Sequence, residues 1–231
     1  MNKNKWQELD ERIISCRLCS RLVAWREEVA RVKKRSYRDW EYWGNPVPGF
    51  GDENAKVLIV GLAPGAHGSN RTGRMFTGDA SGIFLYRALF KFGFANQATA
   101  IKRNDGLQLK DIYISAVCRC APPDNRPTQD EIQNCQPYLL EEIRLLKSLQ
   151  GIVALGGVAY KRLQVIFDMV FSRRIREPFS HNNFIPSEGS SPWLLMSYHP
   201  SQQNTQTGRL TETMFDTIWS KAYNLIQDGE R

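Results

Sequence analysis

Four side chains in this 231-residue sequence stand where chemistry needs them. Asp79 closes the run Gly73-Arg-Met-Phe-Thr-Gly-Asp79 and is a carboxylate able to orient or activate water. Its plainer role is the N-cap of the helix that follows. His199 follows an apolar run and precedes a proline, where it could stabilise an anion developing on a leaving group or serve as a satisfied structural histidine. Asn125 offers two donors and an acceptor, a set suited to the edge of a nucleobase, though an asparagine in Pro-Pro-Asp-Asn can equally brace its own turn. Phe76 offers a stacking face, with burial in the core as the ordinary alternative. A second group is sulfur: Cys16-Arg-Leu-Cys19, Cys118, Cys120 and Cys135. Five cysteines suit a four-ligand metal site with one spare better than a set of disulfides. Of the other two histidines, His67 is ambiguous and His181 lies in an irregular stretch with no assigned task.

These residues need elements to hold them. Val57 to Val60 is a short β-branched run of the kind buried on both faces of a sheet. It opens into a loop with glycines at 61, 65, 68, 73, 78 and 82, too long and glycine-rich to be a mere connection. Residues 83–94 read as a helix ended by Gly93, with Asp79 or Ser81 at its start. Residues 112–117 form a second strand running into Cys118–Pro127, and Thr128-Gln-Asp-Glu131 has the form of a capping box for a helix reaching about Leu149. A third strand at 152–155, a helix at 158–171, a fourth strand at 193–198 and a last helix from 212 to about 227 complete the series. The pattern predicts one α/β domain over residues 1–231, a four-stranded parallel sheet flanked by helices on both faces. In such sheets ligands sit beyond the carboxyl ends of the strands, so loops 61–82, 118–127 and 199–211 are expected to bring Asp79, Phe76, Asn125 and His199 together.

Residues 4–30 read as helical, interrupted at Cys16–Cys19, and belong to an amino-terminal arm reaching residue 50. Within it, Arg31, Lys33, Lys34, Arg35 and Arg38 are interleaved with Tyr37, Trp40, Tyr42 and Trp43. Such a stretch can contact phosphates and bases; the commoner arrangement is a solvated basic face with aromatics turned inward. A net charge of +7 suits an anionic polymer as partner. No stretch approaches the roughly 18 apolar residues of a membrane span, and the charged start Met1-Asn-Lys-Asn-Lys5 lacks a following apolar segment, so a cytoplasmic protein without membrane contact is expected. A phosphate-cradling P-loop is excluded, because no Lys-Ser/Thr pair follows the glycines.

Gly61-Leu-Ala-Pro-Gly65, Gly73-Arg-Met-Phe-Thr-Gly-Asp79, Cys120-Ala-Pro-Pro-Asp-Asn-Arg-Pro-Thr128 and His199-Pro-Ser201 resemble the motif set of the uracil-DNA glycosylase superfamily. Within it they most resemble the iron–sulfur branch called family 5. The resemblance runs in order from Cys16 to Thr211. Where family 4 carries a glutamate and family 1 a catalytic aspartate, this chain has Leu62 and Ala63, neither able to activate water. That departure is the family 5 pattern, and it moves attention to Asp79.

The resemblance implies a three-layer α/β/α fold and a DNA repair enzyme that flips uracil out of DNA and hydrolyses its N-glycosidic bond. Hypoxanthine and other deaminated bases are implied as further substrates. Asp79 and His199 would be catalytic, while Gly61, Leu62, Ala63, Pro64, Gly65, Phe76 and Asn125 would line the base pocket. Ser201, Gln203, Asn204 and Arg209 would contact DNA from a loop, 202–210, that resembles the family's intercalating loop. A [4Fe–4S] cluster is implied on Cys16, Cys19, Cys120 and Cys135, with Cys118 as the spare. Four thiolates alone would also fit zinc, but a zinc ribbon usually brings a second close C-x2-C pair, which is missing here. The expected assembly is a monomer. The alternative reading is an iron–sulfur protein that binds nucleic acid without cleaving it.

Overall fold

The computed structural model describes residues 4–228; residues 1–3, part of the charged start, and residues 229–231 lie outside it. The amino-terminal helical stretch is two helices, α1 (Lys5–Ile14) and α2 (Ser20–Val32), parted at the C-x2-C segment. Asn4 caps α1, accepting from the Trp6 amide while Gln7 reaches back to the Asn4 amide. A two-residue strand, β1 (Phe50–Gly51), precedes β2 (Val57–Gly61). The glycine-rich stretch then forms a single turn of helix, α3 (Ser69–Thr72), before α4 (Ala80–Lys91). Next come β3 (Ile112–Ala116), α5 (Gln129–Leu145), β4 (Gly151–Leu155) and α6 (Gly157–Phe171). The chain ends with β5 (Phe184–Ile185), β6 (Trp193–Ser197), α7 (Gln202–Gln206) and α8 (Glu212–Asp228).

The sheet has six strands in the order β1-β3-β2-β4-β6-β5. Where a four-stranded parallel sheet was expected, the sheet is mixed: the four central strands are parallel, and the two-residue strands at either edge run antiparallel to their neighbours. Those edge strands are too short to leave an alternation in the sequence. Every residue of β2, β3, β4 and β6 is buried, because helices cover both faces. Alternate side chains divide between two cores. Leu58, Val60, Ile152, Ala154, Leu194 and Met196 pack with α1, α5 and α6. Val57, Ile59, Ile114, Val153, Leu155 and Leu195 pack with α4 and α8. A period of two along each strand thus sets the three layers.

The order carries a functional consequence. From β2 the chain moves one way to β3, then returns across β2 to β4 and on to β6. The switch falls between β2 and β4, which is where an open parallel sheet leaves a crevice at its carboxyl ends.

Candidate active site

A cavity of about 260 Å³ lies at that switch. Leu62 lines it from the end of β2, Leu155 to Ala159 from the β4–α6 turn, and Tyr198, His199, Asn204 and Arg209 from beyond β6. A volume below the range of drug-sized sites suits one small planar group. A wider depression of about 490 Å³, lined by Phe92, Asp216 and Lys221 among others, lies at α8, away from the strand ends.

His199 and Phe76 meet at this site, their rings stacked with centroids 5.7 Å apart and an interplanar angle of 29°. Burial alone pushes the His199 pKa down to about 4, so the ring is neutral near pH 7. Its backbone is fixed by Asn204, whose Nδ2 donates to the His199 carbonyl at 2.8 Å. Phe76 holds a left-handed backbone, φ +51°, a strained conformation for an aromatic residue. Its ring lies where a Cβ on Gly61 would fall, 2.9 Å away, which explains the glycine at 61. The Gly61 and Leu62 carbonyls accept from the Val117 and Cys118 amides, anchoring the 61–65 turn to the end of β3. Pro64 is buried, whereas Leu62, Ala63 and Gly65 are half-buried.

Asp79 caps α4, with Oδ1 accepting from the Gly82 amide at 2.9 Å. Its other oxygen is seated against the Gly65–Gly68 turn: a Cβ on Gly68 would stand 2.0 Å from Oδ2. Burial raises the Asp79 pKa, opposed by the amides of Gly82 and Ser81 and by the Arg71 charge. The capping role and a seat beside the active-site turn therefore coexist. Asn125 sits at the end of one turn of 3₁₀ helix, Pro123–Asn125, where it and Asp124 are both left-handed at φ +56° and +53°. Its side chain is exposed and hydrogen-bonds to none of the described residues, so it does not brace its turn. It is not among the residues that line the cavity, so the structure does not bring it to His199 as expected.

The cysteines converge elsewhere, where the arm meets α5 and the loop after β3. Ionisation of Cys120 is opposed first by burial and then, in part, by charge on Cys135, Cys16 and Cys19; Arg26 favours it, and the thiol is pushed up to about 12. The four expected ligands thus share one electrostatic neighbourhood. Cys118 is no bystander: its buried thiol acts directly on that of Cys135. β3 stops at Ala116, one residue short of the expected strand, so Cys118 and Cys120 lie in the loop beyond it. No three His, Cys, Asp or Glu side chains among the described residues stand close enough to hold a single metal ion.

A family model described as the uracil DNA glycosylase superfamily matches residues 48–222. The chain belongs to the uracil-DNA glycosylase superfamily. It is 49% identical over 219 residues to a type-5 uracil-DNA glycosylase of Mycobacterium leprae, covering 94% of each chain. It is 48% identical over 213 residues to the type-5 enzyme of Thermus thermophilus, covering 92% of this chain and 94% of that one. A type-4 uracil-DNA glycosylase of Pyrobaculum aerophilum is 39% identical over 124 residues, only 53% of this chain. Similarity along the whole length thus lies with the type-5 branch.

Two parts of this superfamily site escaped the sequence reading. The Gly156-Gly157 turn lines the cavity, and its signal was available: a glycine pair between a parallel strand and a helix. The 202–210 segment, expected as a loop, contains α7, with Ser201 at its N-cap. Gln203 and Arg209 are exposed, Ser201 and Asn204 half-buried, and Leu210 fully buried, so Leu210 cannot enter a duplex without unpacking. The guanidinium of Arg209 lies 4.7 Å from the Tyr198 ring.

Proposed function

We propose that the protein removes uracil from DNA by hydrolysing its N-glycosidic bond. The observation that carries this reading is the neutral His199, which lines a base-sized cavity and stacks on Phe76. A base extruded from the stack would lie against Phe76, with Asn125 free to bond its edge. As the C–N bond breaks, the bonding electrons leave with the base and positive charge grows on the sugar. His199, uncharged, donates an N–H to the departing anion. Asp79 offsets the oxocarbenium charge, positions the water whose oxygen bonds to the anomeric carbon and accepts the proton that this water loses, which passes through solvent to the released base anion. With Leu62 and Ala63 in the first motif, no carboxylate there competes for either role. That apolar wall would also admit other deaminated bases, hypoxanthine among them.

The type-5 relatives are named for uracil in DNA, which agrees with this reading. Incubation with uracil-containing single- and double-stranded DNA, followed by alkali, should give scission at uracil and none in a uracil-free control. No scission would leave a nucleic-acid-binding protein without chemistry. Hypoxanthine-containing DNA in the same assay tests the wider range.

A [4Fe–4S] cluster on Cys16, Cys19, Cys120 and Cys135 belongs to the same proposal. Two observations support the fit. The four thiols act on one another, as four ligands of one cluster would. Arg26 is 1% exposed beside them, with buried Nε and Nη1 lacking any hydrogen-bond partner, a charge that an anionic cluster would complement. When bound, the cluster would supply a structural tie between the arm and α5. We also infer a monomer acting in the cytoplasm; no helix of the described residues is long and apolar enough to cross a membrane.

A further inference from the structure

The 31–43 stretch has a use that neither of its sequence readings named. Arg71, on the single-turn helix α3, is 3% exposed. Its Cζ lies 3.9 Å from the ring centroid of Tyr37 and 4.0 Å from that of Trp40, so two aromatics of the arm grip one guanidinium. From that grip Nε donates to the His67 carbonyl and Nη2 to the Gly78 carbonyl, each at 2.7 Å. These carbonyls stand on the two sides of the Asp79 seat. His67 precedes Gly68, against which Oδ2 rests, and Gly78 precedes Asp79 itself. Four helical residues cannot hold their own shape, and the arm supplies the support. The Trp43 amide donates to the Arg71 carbonyl at 2.9 Å and the Gly44 amide to that of Asn70 at 3.0 Å.

We propose that Arg71, clamped between Tyr37 and Trp40, is a positioning residue for base excision, fixing the Asp79 carboxylate through the carbonyls of His67 and Gly78. The inference rests on the reading of Asp79 as a group that acts on the reacting atoms. Burial raises the pKa of that carboxylate; the Gly82 and Ser81 amides oppose it, and Arg71 adds the one positive charge among the described residues that bears on it. The Tyr86 hydroxyl, the other titratable group coupled to Asp79, donates to the Met75 carbonyl and stays neutral. A planar fork reaches two carbonyls at once, which an ammonium on a flexible stem does not.

Single-turnover excision at saturating protein and the affinity for uracil-containing DNA are measured for Arg71→Lys, Arg71→Gln, Trp40→Leu and Asp79→Asn. Arg71→Lys and Trp40→Leu should excise about 10²-fold more slowly, the cost of a small misplacement of a reacting group. Their DNA affinity should stay within about threefold of the parent protein. Arg71→Gln should also move the acid limb of the rate profile to higher pH, whereas Arg71→Lys keeps the charge and leaves the limb in place. A scaffold role alone would not separate those two profiles. Wild-type rates for Arg71→Lys and Trp40→Leu, or losses confined to DNA affinity, overturn the proposal. Should the Arg71 variants not fold, Trp40→Leu at its half-buried position decides the matter by the same criteria. If Asp79→Asn excises at full rate, the reading of Asp79 falls and the clamp with it. If Asp79→Asn is slow while Arg71→Lys and Trp40→Leu are unimpaired, the clamp alone falls.

Discussion

At the scale of single residues, the site separates two jobs by environment. His199 is desolvated until it is uncharged, and Asp79 is desolvated yet held by two amides and one guanidinium. With the histidine pKa near 4, the excision rate should show no break near pH 6.5, where an ordinary histidine titrates. The acid limb belongs to Asp79. Since burial raises its pKa, the active carboxylate is present above that raised value and is lost as pH falls through it, at a higher pH than for a solvated aspartate. A rate profile from pH 4 to 9 checks both points, and Asp79→Asn should remove the Asp79 limb, leaving only the fall that His199 imposes near pH 4. Asp79→Ala and His199→Ala should each reduce single-turnover excision on the order of 10²–10³-fold while DNA binding persists. Asp79, His199 and Asn125 stood out in the sequence as a carboxylate, an imidazole and an amide in the loops after strands, the side-chain types that the proposed chemistry would use. The left-handed backbones of Phe76 and Asn125 were not legible there, since nothing local marks a strained aromatic.

At the scale of elements, the strands and long helices announced themselves and the short pieces did not. The capping box at Thr128 formed as its sequence predicted: the Thr128 amide donates to Glu131 at 2.7 Å, and the Glu131 amide to the Thr128 hydroxyl at 3.3 Å. By contrast α3, α7, β1 and β5 span five residues or fewer, below the length at which any period can be read. The grip of Tyr37 and Trp40 on Arg71 was hidden for another reason: it joins residues more than 30 positions apart through ring faces. The glycines of the opening loop become specific at this scale. Gly68→Ala would drive a methyl group into Asp79 Oδ2, so the carboxylate must leave its seat. Excision should fall by about 10²-fold with little change in DNA affinity, measured in the same single-turnover assay. On the other side of the arm, Arg26→Gln removes the buried charge beside the four thiols. Anaerobically purified variant protein should carry less iron and sulfide per chain than the parent, with weaker thiolate–iron absorption in the visible range.

At the scale of the whole molecule, a formal charge of +7 meets a polyanion across a surface that includes exposed Lys34, Arg35, Arg38 and Arg209. Affinity for DNA should fall linearly on a log–log plot against salt, by about 0.9 for each phosphate neutralised. Replacing Arg209 by alanine should lower that slope by about one and weaken binding to all sequences alike. The arm that carries much of this charge is fastened at long range. Arg21 forks onto Glu131 with bonds of 2.8 and 2.7 Å, and that carboxylate is the one that caps α5. The two residues lie 110 positions apart. A ribosome adding about 5–20 residues per second makes the arm wait on the order of 5–20 s for its anchor to emerge. During that interval Cys16 and Cys19 leave the exit tunnel before Cys120 and Cys135 have been synthesised. The nascent chain would thus carry half of the proposed sulfur site with no other half, and the order of synthesis would make closure of that site a late event in the life of each molecule.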